Sequence, residues 1–437
     1  MGPGYGETPG GGAPHPEERD LDAATGRVLA GLLSQSHLMR PDDITDALTQ
    51  AARPLGVSAA RIYLADLQQR QLEPLPAADG GSGEPLPADS TLAGRAYQTL
   101  TIQTAPVRGG DGASYHAWVP LVDGTERIGV LCLTVADVGE AMLDRYRALA
   151  SLAGIMIMAK ASYSDTYARV QREREMALQA ELVWAFLAPR TFATERVLVS
   201  ATLEPAYEAG GDAFDYALLG DHLHVSIFDA LGHDMSAGML ASVGIASCRS
   251  TRRAGGSLAD IAARADSAIA GFFGNDRFVT ALLCDLDLES GLLTWIPCGH
   301  PAPLLIRGRT VKELARRAQP PLGLAAAHAR RRTARQEAGQ EEASAAAICE
   351  EKLEPGDRVL LYTDGVTDGR APDGTPFGLQ RLADFIIRHS STSLPAPETM
   401  RRLNHAILEY QHGRLRDDAT VVLIEWQPEH PGRNLTP

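Results

Sequence analysis

Residues 161–190, ASYSDTYARVQREREMALQAELVWAFLAPR, contain no glycine and a single proline, Pro189, whereas both residues punctuate the chain on either side. With the usual breakers missing, the stretch predicts one continuous helix. It separates two blocks of a 437-residue chain that is too long for one compact core. Arg172, Glu173, Arg174 and Glu175 mix charges as a solvated helix face does, and the apolar positions are too sparse for coiled-coil heptads. The expected organisation is a first domain over 17–160, a helical linker over 161–192 and a second domain over 193–428, with tails at 1–16 and 429–437. The 1–16 tail is rich in Gly and Pro with almost no large apolar side chain, so it predicts disorder.

In the first block, apolar spacing predicts helices over 21–38, 44–52, 92–97 and 142–158. Strand-like runs lie at 60–64, 116–121 and 128–135, the last two joined by the turn Val122-Asp123-Gly124-Thr125. This is an α+β pattern, an antiparallel sheet flanked by helices. The stretch VPLVDGTERIGVLCLT, Val119 to Thr134, resembles a GAF sensory domain, and the likeness spans about one quarter of the chain. The resemblance implies a pocket for a small ligand that no residue identifies, or else a plain dimerisation module. The 161–190 helix is expected to pair in a homodimer and pass a signal from the first domain to the second, with a simple spacer as the alternative.

The second block reads as strands at 197–203, 223–228, 278–288, 292–297, 303–307, 358–362 and 420–426. Helices are expected at 237–252, 258–273, 379–389 and 397–410. Hairpin-linked strands with grouped helices indicate a layered α+β domain and not a doubly wound parallel sheet.

A net charge of −14 disfavours nucleic acid and anionic membrane as partners, since both need a basic surface. Five scattered cysteines, with no C-x-x-C pair, read as buried thiols of a reducing compartment. The N-terminal residues lack a basic, apolar leader, and the longest apolar stretch, 152–159, is far below the roughly 20 residues of a membrane span. A cytoplasmic location is expected.

Chemistry concentrates in aspartates at strand ends. Asp212 follows Gly210-Gly211, Asp229 ends HLHVSIFD, Asp364 ends RVLLYTD, and Asp417-Asp418 precede ATVVLIEW. Each alone is an ordinary turn former. Together, without histidine or cysteine partners, they suit hard divalent cations better than zinc. The segments YEAGGDAFDY, IFDALGHDMSAGMLA, CGHPAPLLI, PPLGL, LEPGDRVLLYTDGVTDGR and RDDATVVLI occur in that order between residues 207 and 424. They resemble the SpoIIE-like branch of the PPM protein phosphatases, relatives of the type 2C enzymes.

That resemblance implies an α-β-β-α sandwich over about 197–426 with two Mn²⁺ or Mg²⁺ ions between the sheets, acting on phosphoserine or phosphothreonine. It implies metal ligands at Asp212, Asp229 (bridging both ions), the Ala230 carbonyl, Asp364 and Asp417, with Asp418 the lesser choice. An anti-sigma factor antagonist is the implied phosphoprotein substrate. The alternatives are a non-catalytic ligand-sensing scaffold and a phosphatase of small phosphate esters, and no nucleotide-binding glycine loop supports the latter. Two departures from the pattern stand out: Gly232-His233-Asp234 where Gly-His-Gly is common, and a long segment, 325–347, expected to be an enlarged loop. His233 is read as a turn or surface residue, His300 as a structural hydrogen bonder, and His222 and His224 as solvent-facing. The Arg330–Arg335 cluster reads as a solvated run, and Asp285 and Asp287 as a hairpin turn.

Overall fold

The computed structural model describes residues 16–76, 83–107, 114–274, 276–324, 348–390, 395–413, 415 and 417–428. Of the tail expected at 1–16 only Pro16 is described, at the start of a helix, and the 429–437 tail, the 325–347 segment and the Arg330–Arg335 cluster lie outside the described residues. Two compact units make up the chain, divided between Arg172 and Glu173 apart from Gly124–Glu126, which group with the second. The segment expected to be a linker is divided between them.

The first unit runs α1 (Pro16–Ser36), α2 (Ile44–Ala51), β1 (Val57–Ala65), β2 (Gln71–Pro74), β3 (Leu86–Pro87), α3 (Leu92–Thr99), β4 (Gln103–Pro106), β5 (Tyr115–Asp123), β6 (Glu126–Val135), α4 (Glu140–Ala161) and α5 (Thr166–Gln171). Its strands form one sheet in the order β3-β2-β1-β6-β5-β4. Alternation along β1 and β6 sends Ile62, Leu64, Leu131 and Leu133 to a core shared with α1, α2 and α4. Tyr63, Val130 and Cys132 go to the opposite face, where α3 packs. The expected α+β arrangement is present. The short strands β2, β3 and β4 escape sequence reading because two to four residues carry no periodic signal.

The single helix expected over 161–190 is not formed. α4 ends at Ala161, α5 covers only Thr166–Gln171, and Arg172 is extended before α6 (Leu178–Phe186) begins. The Ser164 hydroxyl accepts the Thr166 amide N–H at 3.2 Å, a local bond that competes with helix propagation. The apolar residues of the stretch also serve different interiors, Tyr167 in the core of the first unit and Val183 in that of the second. Freedom from glycine therefore did not suffice for continuity, and the long pairing helix has no counterpart here.

The second unit continues from α6 with β7 (Thr191–Ala193), β8 (Val197–Glu204), β9 (Asp212–Leu219), β10 (His222–Ala230), α7 (Met235–Arg253), α8 (Leu258–Phe273), β11 (Val279–Asp287), β12 (Leu292–Cys298), β13 (Leu304–Arg307), β14 (Thr310–Glu313), β15 (Cys349–Lys352), β16 (Arg358–Tyr362), α9 (Asp364–Asp368), α10 (Gly378–Ser390), α11 (Ala396–Tyr410) and β17 (Ala419–Trp426). Two antiparallel sheets result, β15-β12-β11-β10-β9 and β14-β13-β16-β17-β8-β7. Every residue of β17 is buried, so its two faces serve two interiors. Val422 and Ile424 join the core between the sheets, while Val421 and Leu423 pack beneath α10 and α11. On the far side α7 and α8 cover the five-stranded sheet through Ile245, Ile261 and Ile269. This is the expected α-β-β-α sandwich.

Helix ends follow local chemistry. Ser257 and Asp260 form a reciprocal capping box at the start of α8. Asp234, the unexpected residue after Gly232-His233, caps α7 by accepting the Ala237 N–H at 3.0 Å, and its carboxylate pairs with Arg277 at 3.1 Å. β9 was missed in the sequence because Asp212 and Asp215 interrupt its apolar run. Asp215 is buried yet fully partnered, by Arg249 at 2.7 Å and Arg252 at 3.2 Å.

Of the two histidines expected to face solvent, His222 does, with its side chain 55% exposed, and His224 does not. His222 and His224 approach the two oxygens of Asp285 at 2.8 and 2.9 Å, and the His224 side chain is only 16% exposed. The strand neighbour Asp285, opposite His224 in register, draws His224 inward. Asp287 does cap a turn, accepting the N–H groups of Glu289 and Ser290. All five cysteines are buried and free. Among the described residues no helix is long and apolar enough to cross a membrane.

Candidate active site

Antiparallel pairing brings the aspartates together in two pairs. Asp212 opens β9 and Asp229 lies near the end of β10, and the two are direct cross-strand partners. Like charges placed so repel one another. In the other sheet β16 ends at Tyr362 and β17 starts at Ala419, so Asp364 and Asp417 follow and precede adjacent strands at one edge. Two links join the sheets here. Thr363 Oγ1 donates to Asp212 Oδ2 at 2.6 Å and itself accepts the Thr420 N–H at 3.0 Å. Asp418 Oδ2 accepts the amide N–H groups of Gly210, Gly211 and Asp212 at 2.8, 2.7 and 3.1 Å.

The glycines are required by close approach. A Cβ on Gly211 would lie 2.6 Å from the Gly232 carbonyl oxygen and 2.8 Å from that of Ala230. One on Gly365 would lie 1.9 Å from the Asp418 carbonyl oxygen. Backbone segments carrying Asp212, Ala230, Asp364 and Asp418 are thus in contact with no room for a side chain between them.

Burial grades across the site. Asp212 and Asp418 are buried, Asp229 is partly so, and Asp364 and Asp417 face solvent. All five carboxyls are pushed upward. Burial is the main cause for Asp212, reinforced by Asp418 and Asp229. Burial, then Asp364 and Asp417, raise Asp229 to about 7. Burial and Asp417 raise Asp364, and burial raises Asp417 and Asp418, against which the Asp418 amide bonds pull downward. His233 is the positive influence acting on Asp417 and Asp418. His300 is buried, held neutral with its acidity pushed to about 3, and meets Thr280 Oγ1 at 2.9 Å. Thr280 in turn lies 3.4 Å from Asp229 Oδ2.

Among the described residues no group of three or more His, Cys, Asp or Glu side chains is already arranged to hold a metal ion. The donor chemistry nevertheless fits one: carboxylates raised in pKa chiefly by burial and by one another, with the Ala230 carbonyl beside them, are the oxygen ligands hard cations select. All five positions named from sequence fall at this edge. Thr363, Thr280 and the amide-binding role of Asp418 were missed. The Thr-Asp-Gly and Asp-Asp motifs contained two of them, but a hydroxyl that orients a carboxylate leaves no spacing signal.

Residues 220–427 match the family model described as Stage II sporulation protein E (SpoIIE). The match includes Asp229, Ala230, Asp364 and Asp417 and begins after Asp212. Protein IcfG of Synechocystis sp. is 23% identical over 255 residues, which is 52% of this chain and 37% of IcfG. The chain thus spans little more than a third of that relative's length. The solved RsbU and RsbW domains of Rv1364c from Mycobacterium tuberculosis are 23% identical, with 54% of this chain and 63% of that one covered, at a TM-score of 0.44. A PP2C phosphatase domain with a fragment of the regulatory domain of SpoIIE from Bacillus subtilis is 14% identical, covering 76% and 83% at a TM-score of 0.44. By the family match, residues 220–427, a little under half of the chain, are similar to the SpoIIE family.

Proposed function

We propose that the second unit hydrolyses phosphoserine or phosphothreonine on a protein, with Asp212, Asp229, the Ala230 carbonyl, Asp364 and Asp417 holding two Mn²⁺ or Mg²⁺ ions. The observation that carries this reading is the convergence, from two sheets, of carboxylates whose pKa values burial and mutual repulsion raise. A cation relieves that repulsion. Bound divalent ions supply an activated water and neutralise phosphate charge.

The chain's own groups have separate tasks. Thr363 orients Asp212, Thr280 orients Asp229, and neutral His300 holds Thr280 in turn. Solvent-facing Asp364 and Asp417 leave the site open to a large substrate, as a phosphorylated side chain on a protein requires. An anti-sigma factor antagonist is the substrate class we infer, with the GAF-like first unit as a regulator that binds a small ligand.

Release of phosphate from a serine-phosphorylated protein with Mn²⁺ tests the reading. Asp229→Ala and Asp364→Asn are expected to reduce it by more than about 100-fold, since even residues behind the ligands cost 10–100-fold when lost. Activity surviving either change, or surviving a chelator, refutes the assignment.

A further inference from the structure

We propose that Asp418 is a positioning residue, which fixes the Gly210-Gly211-Asp212 backbone through its amides and thereby sets Asp212 against the aspartates of the other sheet. The inference rests on the phosphatase reading only for what the site binds. Its geometry stands apart from it.

A carboxylate oxygen has about two lone-pair directions, and Asp418 Oδ2 already receives three N–H groups at 2.7–3.1 Å. That oxygen is saturated and has nothing left for a cation. Asp418 is 4% exposed, so water does not replace those donors. Charge-assisted bonds to consecutive amides fix the backbone's direction where β9 begins. Asp418 immediately precedes β17 of one sheet, and the amides it gathers precede or open β9 of the other. Its carboxylate is therefore a clamp between the sheets at the point where their aspartates meet. The neighbours hold the clamp in place: the Asp418 N–H donates to Asp417 Oδ1 at 3.0 Å, and its carbonyl lies where only glycine at 365 leaves room. The adjacent aspartates thus divide the work, Asp417 facing the solvent-open site and Asp418 facing the backbone.

The test compares Asp418→Ala, Asp418→Asn and Asp417→Asn in the full chain. Amide hydrogen exchange at 210–212 is read without metal, and Mn²⁺ affinity by calorimetry. Asp418→Ala is expected to speed exchange at these amides and to weaken Mn²⁺ by about 10–100-fold, the cost typical of a residue behind the ligands. Asp418→Asn keeps an acceptor oxygen, so it should fold and restore part of both. Asp417→Asn should lose Mn²⁺ with exchange at 210–212 unchanged. Loss of Mn²⁺ in the Asp418 variants with unaltered exchange would make Asp418 a direct ligand and overturn the proposal, as would variants that change neither quantity. A wild type that releases no phosphate sinks the phosphatase reading, and the exchange arm still decides the role of Asp418.

Discussion

Asp229 shows how a single residue couples the site to stability. Its folded acidity, raised to about 7, exceeds the roughly 3.9 of an unfolded aspartate. Between those values the native state holds more protons than the unfolded one, so stability of the metal-free protein should fall as pH rises from about 4 to about 7, then level off. Saturating Mn²⁺ should flatten that slope. At about 100 times its Kd it would add about 2.7 kcal/mol, which thermal melts from pH 5 to pH 8 with and without the ion would register. A metal-free melting temperature that climbs over this range contradicts the picture. In the histidine clamp the two partners respond to pH in opposite directions. Hydrogen bonding to Asp285 raises His222, while the bonds from His224 and His222 overcome burial and hold Asp285 low. The first contribution is present below about pH 6.5 and lost on raising pH, the second present above about pH 4 and lost on acidifying. Asp285→Asn should therefore depress the melting temperature more at pH 5.5 than at pH 8.5, and equal depressions would remove the charge from the account.

At the scale of elements, the departure at Asp234 proves to be a helix cap. Asp234→Ala should lower the urea midpoint through fraying of α7, whereas Asp234→Ser should restore most of the loss. An alanine variant as stable as wild type would mean the cap is idle. Strand pairs and long helices were legible because β10, β11, β16 and β17 carry apolar runs and α7 and α8 carry clear starts and stops. β9 was not, since Asp215 sits buried in it and its two arginine partners lie more than thirty positions away. The break inside 161–190 was equally hidden, being decided by Tyr167 and Val183 joining different interiors. The five candidate ligand positions were legible as motifs, but their orienting partners Thr363, Thr280 and Asp418 act through contacts that spacing does not encode.

For the molecule as a whole, each unit has its own core, so a ligand should protect most strongly the unit that binds it. In hydrogen exchange, Mn²⁺ is expected to protect β9, β10 and β17 while leaving β1 and β6 unchanged, and equal protection of both would show coupled stability. The five cysteines bear on how such questions are approached. Burial pushes Cys132, Cys248 and Cys298 up to about 12, and raises Cys284 and Cys349 as well. Thiols so protonated react slowly with alkylating probes. The native chain is in effect a silent background for labelling. Cysteines introduced at exposed Ser90 and Arg309 could carry a fluorophore pair, with no native residue removed first.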